Sequence, residues 1–138
     1  MATCPAEGVR RTLAIYCQLM DDGRYADAAA LFVDDAQWTV QGVTHHGIDE
    51  IRALMSDWPV PTGGKHLTFN SVIDVDGDAA AAVSDYLMVR STEIGGVVHR
   101  GGRYHDTLRR DRSGLWRFVA RENRGSSFVQ AGGSDTSA

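Results

Sequence analysis

Residues 65–92 read KHLTFNSVIDVDGDAAAAVSDYLMVRST, and the period of this stretch decides how the rest of the chain is read. Residues 66–76 alternate, with Leu67, Phe69, Ile73 and Val75 on one face and His66, Thr68, Asn70 and Val72 on the other, as in a half-buried strand. Asp76-Gly77-Asp78 is a hairpin signal. Residues 79–92 then return as a long strand, whose run of alanines lets a bulky neighbour approach. Downstream, Ile94-Gly95-Gly96 turns the chain again, and residues 97–110 and 115–123 make two more strands around a polar turn. Gly101-Gly102 inside the first of these points to a bulge or a sharp bend.

Upstream the period is helical. Residues 9–24, VRRTLAIYCQLMDDGR, place Val9, Leu13, Tyr16, Cys17 and Met20 at steps of three and four, one apolar stripe. Thr3 or Cys4 caps this helix, Pro5 and Glu7 suit its first turn, and Asp21-Asp22-Gly23 stops it. A second helix is expected over residues 25–33, ending in Asp34-Asp35, followed by a short strand at 36–41 and a turn or small hairpin at 42–47. A third helix at 48–58 precedes a loop that Pro59, Pro61, Gly63 and Gly64 keep from being helical. Helices followed by a meander of long strands predict an α+β fold. A strongly bent antiparallel sheet would wrap the three N-terminal helices as a cone-shaped barrel, with a cavity between its concave face and the first helix. Residues 1–124 read as a single domain and 125–138 as a disordered tail.

Composition narrows the function. The chain has 138 residues, 43% hydrophobic and 23% charged, with a net charge of −4. That balance argues against nucleic acid or an anionic membrane as a partner, although arginines gather late in the chain. Cys4 and Cys17 are too few for a disulfide framework. Neither a signal-peptide pattern nor an apolar run approaching ~18 residues is present, so a soluble cytoplasmic protein is expected.

Few residues offer chemistry. Asp21 and Asp22 sit at the negative end of a helix dipole, which disfavours carboxylates there. The plain reading is that both begin the turn; the sharper one is that Asp21 points into the cavity. Tyr16 lies five residues earlier, about 140° away around a regular helix, so the two share a site only where the helix unwinds. His66 opens the first long strand, and a carboxylate on one imidazole nitrogen would leave the other as a base or acid near neutral pH. His99 and His105 alternate along a later strand, and His45-His46 occupy a turn. No pair has HxxxH, HExxH or CxxC spacing, so no metal is expected. The paired glycines do not make a nucleotide-binding GxGxxG, and no GxSxG nucleophile motif is present, so no cofactor is expected. Trp38, Met55, Trp58, Tyr86, Tyr104, Trp116 and Phe118 either fill the core or line a ligand cavity; sequence alone does not separate the two.

The runs IYCQLMDDGRYADAAALFVDDAQWTVQG, GIDEIRALM, KHLTFNSVIDVDGDAAAAVSDYLMV and GGRYHDTLRRDRSGLWRFVAR, in this order, resemble SnoaL-like proteins of the nuclear transport factor 2-like superfamily. The resemblance covers residues 9–124 and implies a cone-shaped α+β barrel with a deep pocket, often paired into a homodimer through the outer face of the sheet. Tyr16 and Asp21 are similar in spacing to a pair in the bile-acid 7α-dehydratases, and Asp21 and His66 match the catalytic positions of scytalone dehydratases. A second histidine of the latter falls near His99. Tyr16 also matches the oxyanion-binding tyrosine of ketosteroid isomerases, but their aspartate base falls at Val40 here.

The resemblance therefore implies a cofactor-independent lyase, a dehydratase of a hydrophobic cyclic or polyketide-like small molecule. Tyr16, Asp21, His66 and His99 are the expected catalytic residues, and Trp38, Val40, Met55, Trp58, Val119 and Arg121 the expected substrate-binding set. A SnoaL-type polyketide cyclase or isomerase and a non-catalytic small-molecule-binding module are the alternatives.

Overall fold

The computed structural model describes residues 3–59 and 63–125. The apolar stripe of the first helix, α1 (Pro5–Asp21), buries Val9, Thr12, Leu13, Tyr16, Cys17 and Met20. Its end is closed by backbone bonds from Gly23 to Met20 and from Arg24 to Leu19, with Gly23 at φ +69°, a Schellman motif. The Thr12 hydroxyl donates to the Trp116 carbonyl at 2.7 Å, pinning the helix to the last strand.

After α1 come α2 (Tyr25–Ala29), β1 (Phe32–Val40), β2 (Val43–His46) and α3 (Gly47–Ser56). The long strands β3 (Lys65–Asp76), β4 (Ala79–Thr92), β5 (Gly95–Arg110) and β6 (Trp116–Gly125) follow. Helix α2 is shorter than expected, and Asp34-Asp35 lie inside β1 rather than at a helix end. Pairing outside the segment overrides the local helical pattern. The Phe118 amide donates to the Leu31 carbonyl at 2.8 Å, and Phe32 lies opposite Phe118 with ring centroids 5.0 Å apart.

The α+β architecture of three helices and long strands is as the sequence implied; the sixth strand, β2, forms where a turn or small hairpin was expected, and the sheet differs in two further respects. Strand order is β2-β1-β6-β5-β4-β3, and β1 pairs with β6 in parallel, so the sheet is mixed rather than antiparallel. The sheet is also not closed: β2 and β3 are its two ends.

Register corrects the face assignment of β3. Phe69 pairs with Asp85 but Val72 pairs with Val83, so one extra residue is inserted, and Asn70 takes φ +50°. The bulge shifts the phase, leaving Leu67 and Phe69 exposed while Ile73 packs on the core. At the glycine pair in β5 the chain stays in register. The irregularity falls three residues earlier, around His99, and Gly102 is needed because a Cβ there would lie 2.1 Å from the Arg124 carbonyl oxygen. Of the expected tail at 125–138, Gly125 is the last residue of β6, and residues 126–138, like loop residues 60–62, lie outside the described residues.

Candidate active site

Asp21 is the last residue of α1 and His66 the second of β3, and the close packing of these elements brings the two together. One carboxylate oxygen of Asp21, Oδ1, accepts from the His66 main-chain N–H at 2.8 Å and from the ring Nδ1 at 2.7 Å. An ionised carboxylate can only accept, so Nδ1 carries the proton, and Nε2, across the ring, is the basic nitrogen. The Asp21 side chain is 7% exposed and that of His66 19%, so the pair is shielded yet reachable. Lys65 holds its ammonium 4.0 Å from the second carboxylate oxygen.

Two depressions share this pair. The larger is a groove of about 590 Å³ between α1 and β3, lined by Arg10, Leu13, Cys17, Asp21, His66 and Thr68 among others. The smaller, about 140 Å³, is lined by Asp21, His66, Met88, Arg90 and His99. His99 is half-buried beside the irregular pairing of β4 with β5, and it joins Asp21 and His66 only in this smaller depression. Cys17 is buried, with its Sγ 3.2 Å from the Thr68 hydroxyl, and burial raises its pKa.

The remaining expected site residues lie elsewhere. Tyr16 is 2% exposed and lines neither depression. Its ring packs edge-on against Phe32, Trp38 and Phe118, and the Arg121 guanidinium lies 4.3 Å from its centre. Burial pushes its hydroxyl well above the ordinary tyrosine range. Trp38 and Met55 are buried in the core, the Trp38 indole N–H donating to the Asn123 side chain at 2.9 Å. Trp58 stands edge-on to Trp38, while Val40 and Val119 pack partly buried against the same core.

Arg121 is fully buried. Its guanidinium lies 3.6 Å from the Tyr104 ring centre, and its Nε is 3.0 Å from Asp106 Oδ1. The Nε–Oδ1 contact is too poorly aligned for a hydrogen bond, whereas Nη2 donates to Oδ2 at 3.3 Å. Burial pushes the Asp106 carboxyl up to about 6 against the attraction of Arg121.

Sequence reasoning did not single out Asp106, Arg10 or the Cys17–Thr68 contact. Asp106 carried a usable signal, a charge on the same strand phase as Tyr104 and Leu108. Among the described residues, no three His, Cys, Asp or Glu side chains are grouped to hold a metal ion. None of the helices there is long and apolar enough to cross a membrane.

An open, mixed six-stranded sheet packed on helices, with an Asp–His pair at the end of the first helix, places the molecule among nuclear transport factor 2-like α+β proteins. The SnoaL-like domain model matches residues 5–122, and the chain belongs to that family. It is similar to an NTF2-like protein with a cystatin-like fold from Novosphingobium aromaticivorans, with 30% identity, 90% of this chain and 85% of that chain covered, and a TM-score of 0.73. A protein of unknown function from Mycobacterium tuberculosis shares 24% identity over 88% of this chain and 76% of the other, with a TM-score of 0.78. A candidate scytalone dehydratase from Novosphingobium aromaticivorans shares 24% identity over 88% of this chain and 83% of the other, with a TM-score of 0.74. The last two likenesses speak to the fold. No curated protein matches the chain in sequence.

Proposed function

We propose that the chain is a lyase that needs no cofactor, a dehydratase acting on a hydrophobic cyclic or polyketide-like small molecule. The observation that carries this reading is the 2.7 Å contact between Asp21 and His66 Nδ1, in a pair that lines a 590 Å³ groove. His66 Nε2 removes a proton next to a substrate carbonyl, and the electron pair forms an enolate. Its collapse expels a β-hydroxyl, which takes the proton back from the imidazolium and leaves as water. Asp21 stays ionised throughout and stabilises the charged ring. Tyr16 is enclosed in the core, so Lys65 and Thr68, in the groove lining, are the nearer donors to the enolate oxygen. Acid–base catalysis of this kind contributes about 10²–10⁴ in rate.

The test is turnover on a panel of cyclic β-hydroxyketones, followed by the absorbance of the enone formed. His66→Ala and Asp21→Asn should each lose at least about 10² in kcat. Wild-type turnover by either variant sinks the mechanism. A cyclase of SnoaL type is told apart by its product, which need not lose water.

One observation favours a second reading, a binding module without catalysis. Asp21 bonds the His66 backbone as well as its ring, so the carboxylate also clasps the first turn of chain in β3. A homodimer is proposed on the outer sheet face, where Leu67, Phe69 and Val72 are exposed; sedimentation as a monomer at micromolar concentration would remove it.

A further inference from the structure

We infer that the groove between α1 and β3 binds an elongated amphiphile, with the anionic head held by Arg10 and the far end lying against His66. The inference rests on the groove of the proposed active site and adds a substrate class and a specificity residue.

The geometry follows from two contacts. Asp21 meets His66, and one helical turn back Cys17 meets Thr68, two residues further along the strand. Four helical residues and two strand residues each advance about 6 Å, so helix and strand run side by side in opposite directions. The same step repeated sets Leu13 near Asn70, with Arg10 one further turn back beyond the bulge, and Arg10, Asn70 and Ser71 all line the groove. From Asp21 to Arg10 the groove is about 16 Å long on the helix side, at 1.5 Å per residue.

Its middle carries the apolar residues Leu13 and Ala14 on the helix side, with Leu67 and Phe69 contributing from the end strand β3. Its charge is one-sided. In a chain of net charge −4, the lining carries Arg10 and Lys65 against a single carboxylate, Asp21, which is already bonded to His66. Lys65 stands at the dyad end beside Asp21, whereas the charge partner of Arg10 among the described residues is Glu7, at 3.7 Å, and both side chains are about half exposed. An apolar trough with a loosely engaged guanidinium at its far end is complementary to a carboxylate or sulfonate on an apolar body.

Dodecanoate and the neutral dodecan-1-ol are suitable probes, titrated by calorimetry into the wild-type chain and into Arg10→Gln and Lys65→Gln. Wild type should bind dodecanoate, and its amide resonances should shift along Leu13–Gln18 and Thr68–Ser71. Arg10→Gln should weaken dodecanoate on the order of fivefold, the scale of a solvent-facing charged contact, and leave dodecan-1-ol unchanged. Arg10 is a surface position, so thermal unfolding should be unaltered and the binding loss not a folding defect. No dodecanoate binding, shifts outside the groove, or a larger loss in Lys65→Gln than in Arg10→Gln overturns the inference. None of these results touches the Asp21–His66 mechanism, which stands or falls on turnover by the His66 and Asp21 variants.

Discussion

The molecule holds two aspartate–cation pairs of similar length in opposite surroundings. Asp21 and His66 meet at 2.7 Å where a helix ends and a strand begins, with the histidine side chain 19% exposed. Asp106 and Arg121 meet at 3.0 Å between β5 and β6, both side chains fully buried and the guanidinium enclosed by Tyr16, Tyr104 and Phe118. The first pair has a titratable partner whose second nitrogen faces away from the carboxylate, in the lining of a groove. The second has a partner that cannot release its proton at any useful pH. The same kind of carboxylate thus orients an imidazole beside a groove in one place and holds a guanidinium in the core in the other. What differs is solvent access and the chemistry of the cation.

The largest expected effect comes from breaking the buried pair. Asp106→Leu leaves Arg121 charged and alone in the core, and should cost about 3–5 kcal/mol in urea unfolding. The double variant Asp106→Leu/Arg121→Met should recover most of that loss, because burying two charges gains little over good apolar packing. Asp21→Asn should cost about 1–2 kcal/mol, since the amide oxygen still accepts from the His66 backbone. Equal losses at the two sites would erase the contrast drawn between them.

Next in size is a pH effect confined to the core pair. The Asp106 carboxyl is raised from 3.8 to about 6, chiefly by burial, so between those values the folded chain holds a proton that the unfolded chain has released. Its contribution to stability is therefore complete below pH ~4 and is lost as pH rises through about 6. Asp111 works in the opposite direction. Its carboxyl is held well below the usual range by the Ser113 and Arg117 side chains, so its contribution is present above pH ~4 and lost on acidification. Unfolding free energies measured from pH 4 to 7 should show the downward slope in wild type and a flatter line in Asp106→Asn. A slope unchanged by that substitution would assign the titration to another group.

These two pairs were not equally legible in the sequence. The dyad could be read because each half carried a local oddity, a carboxylate at the negative end of a helix and a histidine at the start of a strand. Strand β4 was also legible, since residues 79–92 run between turn signals on both sides. What escaped depended on partners distant in the chain. Residues 31–33 read as helix until Phe118 pairs with them, and the parallel contact of β1 with β6 leaves no local trace. The bulge at Asn70 reversed the faces of β3 because one inserted residue shifts every later side chain. The Asp106–Arg121 pair is visible only once β5 and β6 are in register, with those two residues directly opposite.

The smallest expected effect decides to which pair Tyr16 belongs. By resemblance it was a partner of Asp21; in the fold its ring stacks beneath Arg121 and its hydroxyl is enclosed. Tyr16→Phe keeps the ring and its contact with the guanidinium, and removes only the hydroxyl. Stability should fall by about 1 kcal/mol, the worth of one buried hydrogen-bonding group, and kcat should drop less than about tenfold. An oxyanion donor behaves differently: its removal costs on the order of 10²–10³ in kcat with little change in stability. A loss of that size would move Tyr16 out of the core pair and into the dyad's chemistry, and would require the hydroxyl to reach the groove during turnover.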